Sequence, residues 1–183
     1  MRIVAGTWRG RALKAPASQA VRPTSDRLRE SLFDILAHAY DDPVAGALVI
    51  DLFAGTGALG LEALSRGAKR ALFVDDGAEA RALLRENIVT LGAAGITRIF
   101  RRDATKLGLA PAGEKFSLAF LDPPYGKNLA PAAVAALLDG GWLAPGAIIV
   151  VEEAAKAEVI LPPAVTPLET RRYGETKFVI ARA

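Results

Sequence analysis

From residue 47 onward, short apolar runs of strand character alternate with stretches of helical periodicity, and this alternation limits the chain to few architectures. Leu48 to Phe53, Arg70 to Val74, Thr97 to Arg101, Ser117 to Leu121 and Ala147 to Val151 are predicted strands. Ala58 to Ser65 (ended by Gly67), Glu79 to Leu91 and Ala130 to Leu138 are predicted helices. In the second of these, Leu83, Leu84, Ile88 and Leu91 share one face. Strands separated by helices pair in parallel, with helices on both faces of the sheet. The C-terminus breaks the pattern. Leu168 to Tyr173 and Lys177 to Ala181 flank Gly174-Glu175-Thr176, which predicts an antiparallel hairpin. The expected fold is α/β: a doubly wound, mostly parallel seven-stranded sheet that ends in this hairpin.

The first 43 residues read differently. Arg2 to Ala5 and Arg11 to Lys14 flank a turn at Gly6 to Gly10 and predict a small hairpin. Residues 15–23 are a proline-containing linker. Thr24 or Ser25 then caps a helix whose first turn holds Asp26 and whose apolar face is Leu28, Leu32, Ile35 and Leu36. The helix fades between Tyr40 and Pro43. Residues 1–43 are therefore expected to be an extension packed on a core of residues 44–183, the whole behaving as one domain. Residues 1–30 carry seven basic side chains against two acids, so the net charge of +3 is concentrated in this arm and the remainder is slightly acidic. A basic arm on such a body fits a polyanionic partner met at one end.

Apolar residues make up 51% of the 183, enough for a sizeable core. No apolar run reaches the roughly 20 residues that span a bilayer, and no signal-type segment follows the first arginines. There is no cysteine, which excludes disulfides, thiolate metal sites and a cysteine nucleophile. The single histidine, His38, falls in the N-terminal helix. No Ser-His-Asp set or metal-ligand cluster stands out. A cytoplasmic, monomeric, metal-free protein is the expectation.

Asp51-Leu52-Phe53-Ala54-Gly55-Thr56-Gly57-Ala58-Leu59-Gly60 follows a strand and opens a helix, with glycines at the spacing of a nucleotide-binding loop. Asp75 ends the next strand, where a carboxylate can accept from both ribose hydroxyls; Asp76 beside it is the alternative. The spacing does not by itself separate a nicotinamide dinucleotide from S-adenosylmethionine. Asp51 in part does, because it suits the ammonium of a methionine moiety and would repel a pyrophosphate. Asp103 follows the third strand and can accept from an adenine amino group, with the Ala104 backbone on the ring edge; a helix N-cap is the other reading.

The run Leu118-Ala119-Phe120-Leu121 leads straight into Asp122-Pro123-Pro124-Tyr125. The lone pair of a purine's exocyclic amine is delocalised into the ring. The Asp122 carboxylate and the Pro123 carbonyl are suited to hold its two N–H groups, the prolines fix the backbone, and Tyr125 can stack on the base.

With these residues the chain closely resembles the bacterial small-subunit ribosomal RNA guanine-N2 methyltransferase family. The resemblance rests on Arg2 to Arg11, on Arg22 to Phe33, on Asp51 to Gly67 and on Asp122 to Tyr125. It implies a class I methyltransferase fold and methyl transfer to a guanine N2 amine of 16S rRNA, in the small subunit or its assembly intermediate. It also implies that Asp51, Phe53, Ala54, Gly55, Thr56, Gly57 and Asp75 hold S-adenosylmethionine and that Asp122 to Tyr125 hold a flipped guanine. Arg9, Arg11, Arg22, Thr24, Arg27 and Arg29 would lie on the RNA. The alternatives are adenine-N6 methylation of DNA and amide methylation of a protein glutamine. From other classes come a nicotinamide oxidoreductase and a non-catalytic RNA-binding assembly factor.

Overall fold

A computed structural model describes residues 1–16 and 25–183. Its centre is one seven-stranded sheet in the order β3-β2-β1-β4-β5-β7-β6. The strands are β1 (Leu48–Leu52), β2 (Arg70–Val74), β3 (Thr97–Phe100), β4 (Phe116–Leu121), β5 (Leu143–Ala154), β6 (Thr166–Tyr173) and β7 (Thr176–Arg182). β1 to β5 pair in parallel, whereas β7 lies antiparallel between β5 and β6. The fold is thus the class I methyltransferase arrangement expected from the alternation and the terminal hairpin.

Side chains along each strand alternate between two apolar layers. Val49, Phe73, Leu118, Phe120 and Val150 pack with α1 (Asp26–Ala39), α2 (Ala58–Ser65) and α3 (Ala78–Leu91). Ile50, Leu52, Val74, Leu121 and Val151 face the other way, onto α4 (Ala130–Asp139) and Trp142. β1 is buried along nearly its whole length, as a strand covered on both faces must be. β5 is longer than the sequence predicts. It runs on through Glu152 and Glu153, both 2% exposed, because β7 pairs with it as far as Ala154.

Ser25 caps α1, its side chain accepting from the Leu28 N–H, which settles the cap between the two candidates. The hairpin expected over residues 2–14 is present in minimal form, with one antiparallel bridge between Arg2 and Ala12 and a turn over residues 5–10. The two arms pair there through backbone bonds, Ile3 N–H to the Arg11 carbonyl at 2.9 Å, Leu13 N–H to the Met1 carbonyl at 3.0 Å and Gly10 N–H to the Ile3 carbonyl at 2.8 Å, while the donors of the tip turn to α2. The Val4 and Ala5 N–H groups donate to the Glu62 carboxylate at 2.8 and 3.0 Å. Thr7 N–H donates to the Ser65 carbonyl and Trp8 N–H to the Ser65 Oγ, at 2.8 and 2.9 Å. Gly6 lies against α2 so closely that a Cβ would stand 1.8 Å from the Ser65 carbonyl oxygen. The short hairpin is therefore docked by its tip on α2.

Candidate active site

The register of the sheet assembles the site. Leu52 of β1 pairs with Val74 on one side and with Leu121 on the other, and Leu121 pairs with Val151. The residues one step beyond this aligned row are Asp75, Phe53 and Asp122, which emerge side by side at the carboxyl ends of neighbouring strands, and Glu152, which lies level with them inside the longer β5. The chain order reverses between β1 and β4. In an open α/β sheet the ligand crevice opens at such a point.

The glycine loop is held from several directions. Phe53 takes φ +57°, a left-handed conformation that strains a residue bearing a Cβ and that persists only where the surroundings fix it. The Gly55 N–H donates to Asp75 Oδ2 at 2.9 Å, and the Gly77 N–H donates to Asp75 Oδ1 at 2.8 Å. Gly57 takes φ +81°, and a Cβ there would meet Leu84 Cδ1 at 2.4 Å, so the turn needs glycine twice over. Asn87 of α3 donates to the Thr56 carbonyl at 3.0 Å and also bonds both backbone groups of Lys14. The loop and the basic arm thus share one buried amide.

Asp51 is 1% exposed and accepts from the Gly60 N–H, in the first turn of α2, at 2.9 Å. Burial pushes its carboxyl up to about 8, with the Asp75 charge adding and the Gly60 bond opposing. Asp122 is pushed well above the usual carboxylate range, first by burial and then by the charges of Glu152, Asp51 and Glu153. A cluster of carboxylates that cannot all ionise in a sheltered cleft is a receptor for positive charge.

Beside this cluster lies a cleft of about 270 Å³ lined by Phe53, Val74, Asp75, Asp76, Asp103, Ala104, Pro124 and Lys127, among others. It brings together the expected ribose, adenine-side and tetrapeptide positions. Asp103 does not cap a helix. Its Oδ1 accepts from the Thr105 N–H and hydroxyl at 2.8 and 2.7 Å, which holds it below the ordinary carboxylate value in an exposed turn. Pro123 is buried and Pro124 exposed. Tyr125 is 39% exposed, so its ring is not core. Its hydroxyl donates to Glu152 Oε1 at 2.9 Å and lies 3.1 Å from the Thr176 Oγ1. Neither Glu152 nor Thr176 was expected from the sequence. The signal was present in Glu152-Glu153, two acids continuing a buried strand without a break.

The expected RNA contacts divide. Arg9 and Arg27 are exposed and line one polar groove of about 490 Å³ together with Arg2, Asp26 and Glu30. Arg11 is also exposed but turns toward the end of α3, donating to the Thr90 carbonyl at 3.1 Å. Arg29 is a correction. It is fully buried, with its Nε 3.5 Å from Glu62 Oε2 and its Nη2 on Asp26 Oδ1 at 3.0 Å and on the Arg2 carbonyl. It sits on the inner face of α1 beside Leu32 and Phe33, where it ties the arm to α2 and cannot reach a phosphate. Arg22 and Thr24 lie outside the described residues.

The family model described as "Conserved hypothetical protein 95" matches residues 1–182. The chain is 43% identical over 152 residues to "Ribosomal RNA small subunit methyltransferase D" of Escherichia coli K12, spanning 83% of this chain and 74% of that protein. It is 35% identical over 180 residues to the protein of the same name from Haemophilus influenzae, spanning 97% and 91%. The solved structure of the Escherichia coli yhhF protein superposes with a TM-score of 0.84 at 36% identity, covering all of this chain and 97% of that one. The chain belongs to this bacterial ribosomal RNA methyltransferase family.

Proposed function

We propose that the protein transfers a methyl group from S-adenosylmethionine to the exocyclic N2 amine of a guanine in the 16S rRNA of the small ribosomal subunit or its assembly intermediate. The observation that carries the chemistry is the placement of Asp122. It sits one register step from the glycine loop, at the reversal of the sheet, with the partly bare Tyr125 ring alongside. The ribosomal target rests on what the relatives are named for.

The residues present fit the donor. Asp51 is a buried carboxyl whose ionisation a neighbouring ammonium would favour. The 270 Å³ cleft has carboxylates at its ribose-side and adenine-side ends. Asp75 is the ribose candidate; both its oxygens already accept a backbone N–H, which holds the carboxylate still, and each retains a further lone pair. When bound, S-adenosylmethionine supplies an electrophilic methyl group. The chain's own part is to hold the amine. Asp122 and the Pro123 carbonyl accept its N–H groups, Tyr125 stacks on the base, and the buried prolyl backbone keeps both acceptors in place. Once ionised, Asp122 has a proton affinity that suits it to take the proton that an alkylated amine sheds. Arg9 and Arg27 supply a phosphate-facing groove at the arm.

Asp122→Ala is expected to lower turnover at least 100-fold, in line with the loss of a positioned proton acceptor, while donor affinity by calorimetry changes less than about threefold. Near-parental turnover would remove Asp122 from the proposed role.

A further inference from the structure

The geometry points to Glu152, together with Thr176, as the positioning device for Tyr125: the two hold the phenol so that its ring stands as a fixed stacking face beside Asp122. This rests on the proposed function in one respect, that the ring receives the target base.

Glu152 sits near the end of β5 and is 2% exposed. A carboxylate in that position is unfavourable unless donors compensate it. The Tyr125 hydroxyl is such a donor, at 2.9 Å, and the same oxygen lies 3.1 Å from the Thr176 Oγ1. The anchor points are themselves fixed by the ladder: Glu152 pairs with Phe178 and Ala154 with Thr176 across β5 and β7. The prolines fix the backbone up to Pro124, but the chain that follows Tyr125 is irregular. Residues 122–129 are neither helix nor strand, and Gly126 and Asn128 take φ +74° and +50°. The ring is therefore tethered at its hydroxyl, while 39% of the residue's surface stays open. A stacking partner held at its far edge loses little further freedom when a base arrives, which is how preorganisation strengthens binding. The arrangement also gives the C-terminal hairpin a task, since Thr176 opens its second strand.

The test is a double-mutant cycle read as KM for the RNA and kcat separately, with donor affinity by calorimetry confirming that each variant is folded. Tyr125→Phe and Glu152→Leu are each expected to raise KM about three- to tenfold, the range of one net hydrogen bond, with a smaller change in kcat. The double variant is expected to be no worse than either single one, because both remove the same contact. Glu152→Gln retains an acceptor and is expected to restore most of the loss. Additive effects, or a Gln variant as impaired as Leu, would overturn the assignment. A second readout does not depend on turnover: the flip rate of the Tyr125 ring by NMR is expected to rise in Glu152→Leu. Equal flip rates would refute the anchoring. Anchoring observed in a parent protein that modifies no guanine would refute the proposed function and leave the anchoring intact.

Discussion

Replacing Asp51 by Asn isolates the charge that the site holds in reserve. The side chain is 1% exposed and bonded to the Gly60 N–H at 2.9 Å, a bond that the Asn carbonyl can keep. Folding raises the carboxyl from 3.8 to about 8, chiefly by burial. For an acid raised in this way, the associated stability is complete below pH 4 or so and is lost as pH rises to about 8, because the unfolded chain releases its proton first. The whole interval corresponds to on the order of 5 kcal/mol. Between pH 5 and pH 9 the ligand-free Asp51→Asn protein should therefore gain about 3 to 4 kcal/mol of stability relative to the parent, measured by urea unfolding at constant ionic strength. Donor binding should show the opposite face of the same charge. At pH 7 only about a tenth of the parent's Asp51 is ionised, so binding of S-adenosylhomocysteine should release a proton and tighten as pH approaches 8. The variant should release none and bind at least tenfold more weakly at pH 8. A stability difference that stays flat from pH 5 to pH 9 would refute the reasoning.

Glu62→Ala should cost about 3 to 5 kcal/mol, the scale for breaking a buried ion pair, because it strips Arg29 of a buried partner and leaves the Val4 and Ala5 N–H groups unpaired; urea unfolding, with amide exchange at Val4 and Ala5, checks it. Arg9→Ala combined with Arg27→Ala should weaken RNA binding and reduce the slope of log affinity against log salt by roughly 1 to 2, with donor binding unchanged by calorimetry. An unchanged slope would take the polar groove out of the interface.

Much of this architecture is legible in the sequence because the physics is local. Strand runs such as Leu48 to Leu52 and Arg70 to Val74 are mostly apolar and bounded by loops, and Ser25 followed by Asp26 declares the start of α1. The two motifs at Asp51 and Asp122 are visible as motifs, and the parallel order predicts that they meet. What the sequence conceals depends on partners far away in the chain. Arg29 reads as one more basic residue of the arm, yet Glu62, 33 residues on, draws it inside. The arm's hairpin is legible, but not that Glu62 and Ser65 of α2 take the N–H groups of its tip. Glu152 and Thr176 belong to the site only through the β5–β7 register and the reach of Tyr125. Asp51 stands out in the sequence as a candidate cofactor residue, but its proton affinity is set by its burial in the folded chain.

The most direct test of the central claim is the identity of the modified nucleoside. Purified protein would be given methyl-labelled S-adenosylmethionine with unmethylated small subunits, naked 16S RNA or DNA, and each product digested to nucleosides. Label in N2-methylguanosine from the small subunit or its RNA is the predicted result. Label confined to N6-methyladenine, or none on any nucleic acid from a protein that binds the donor, would contradict it.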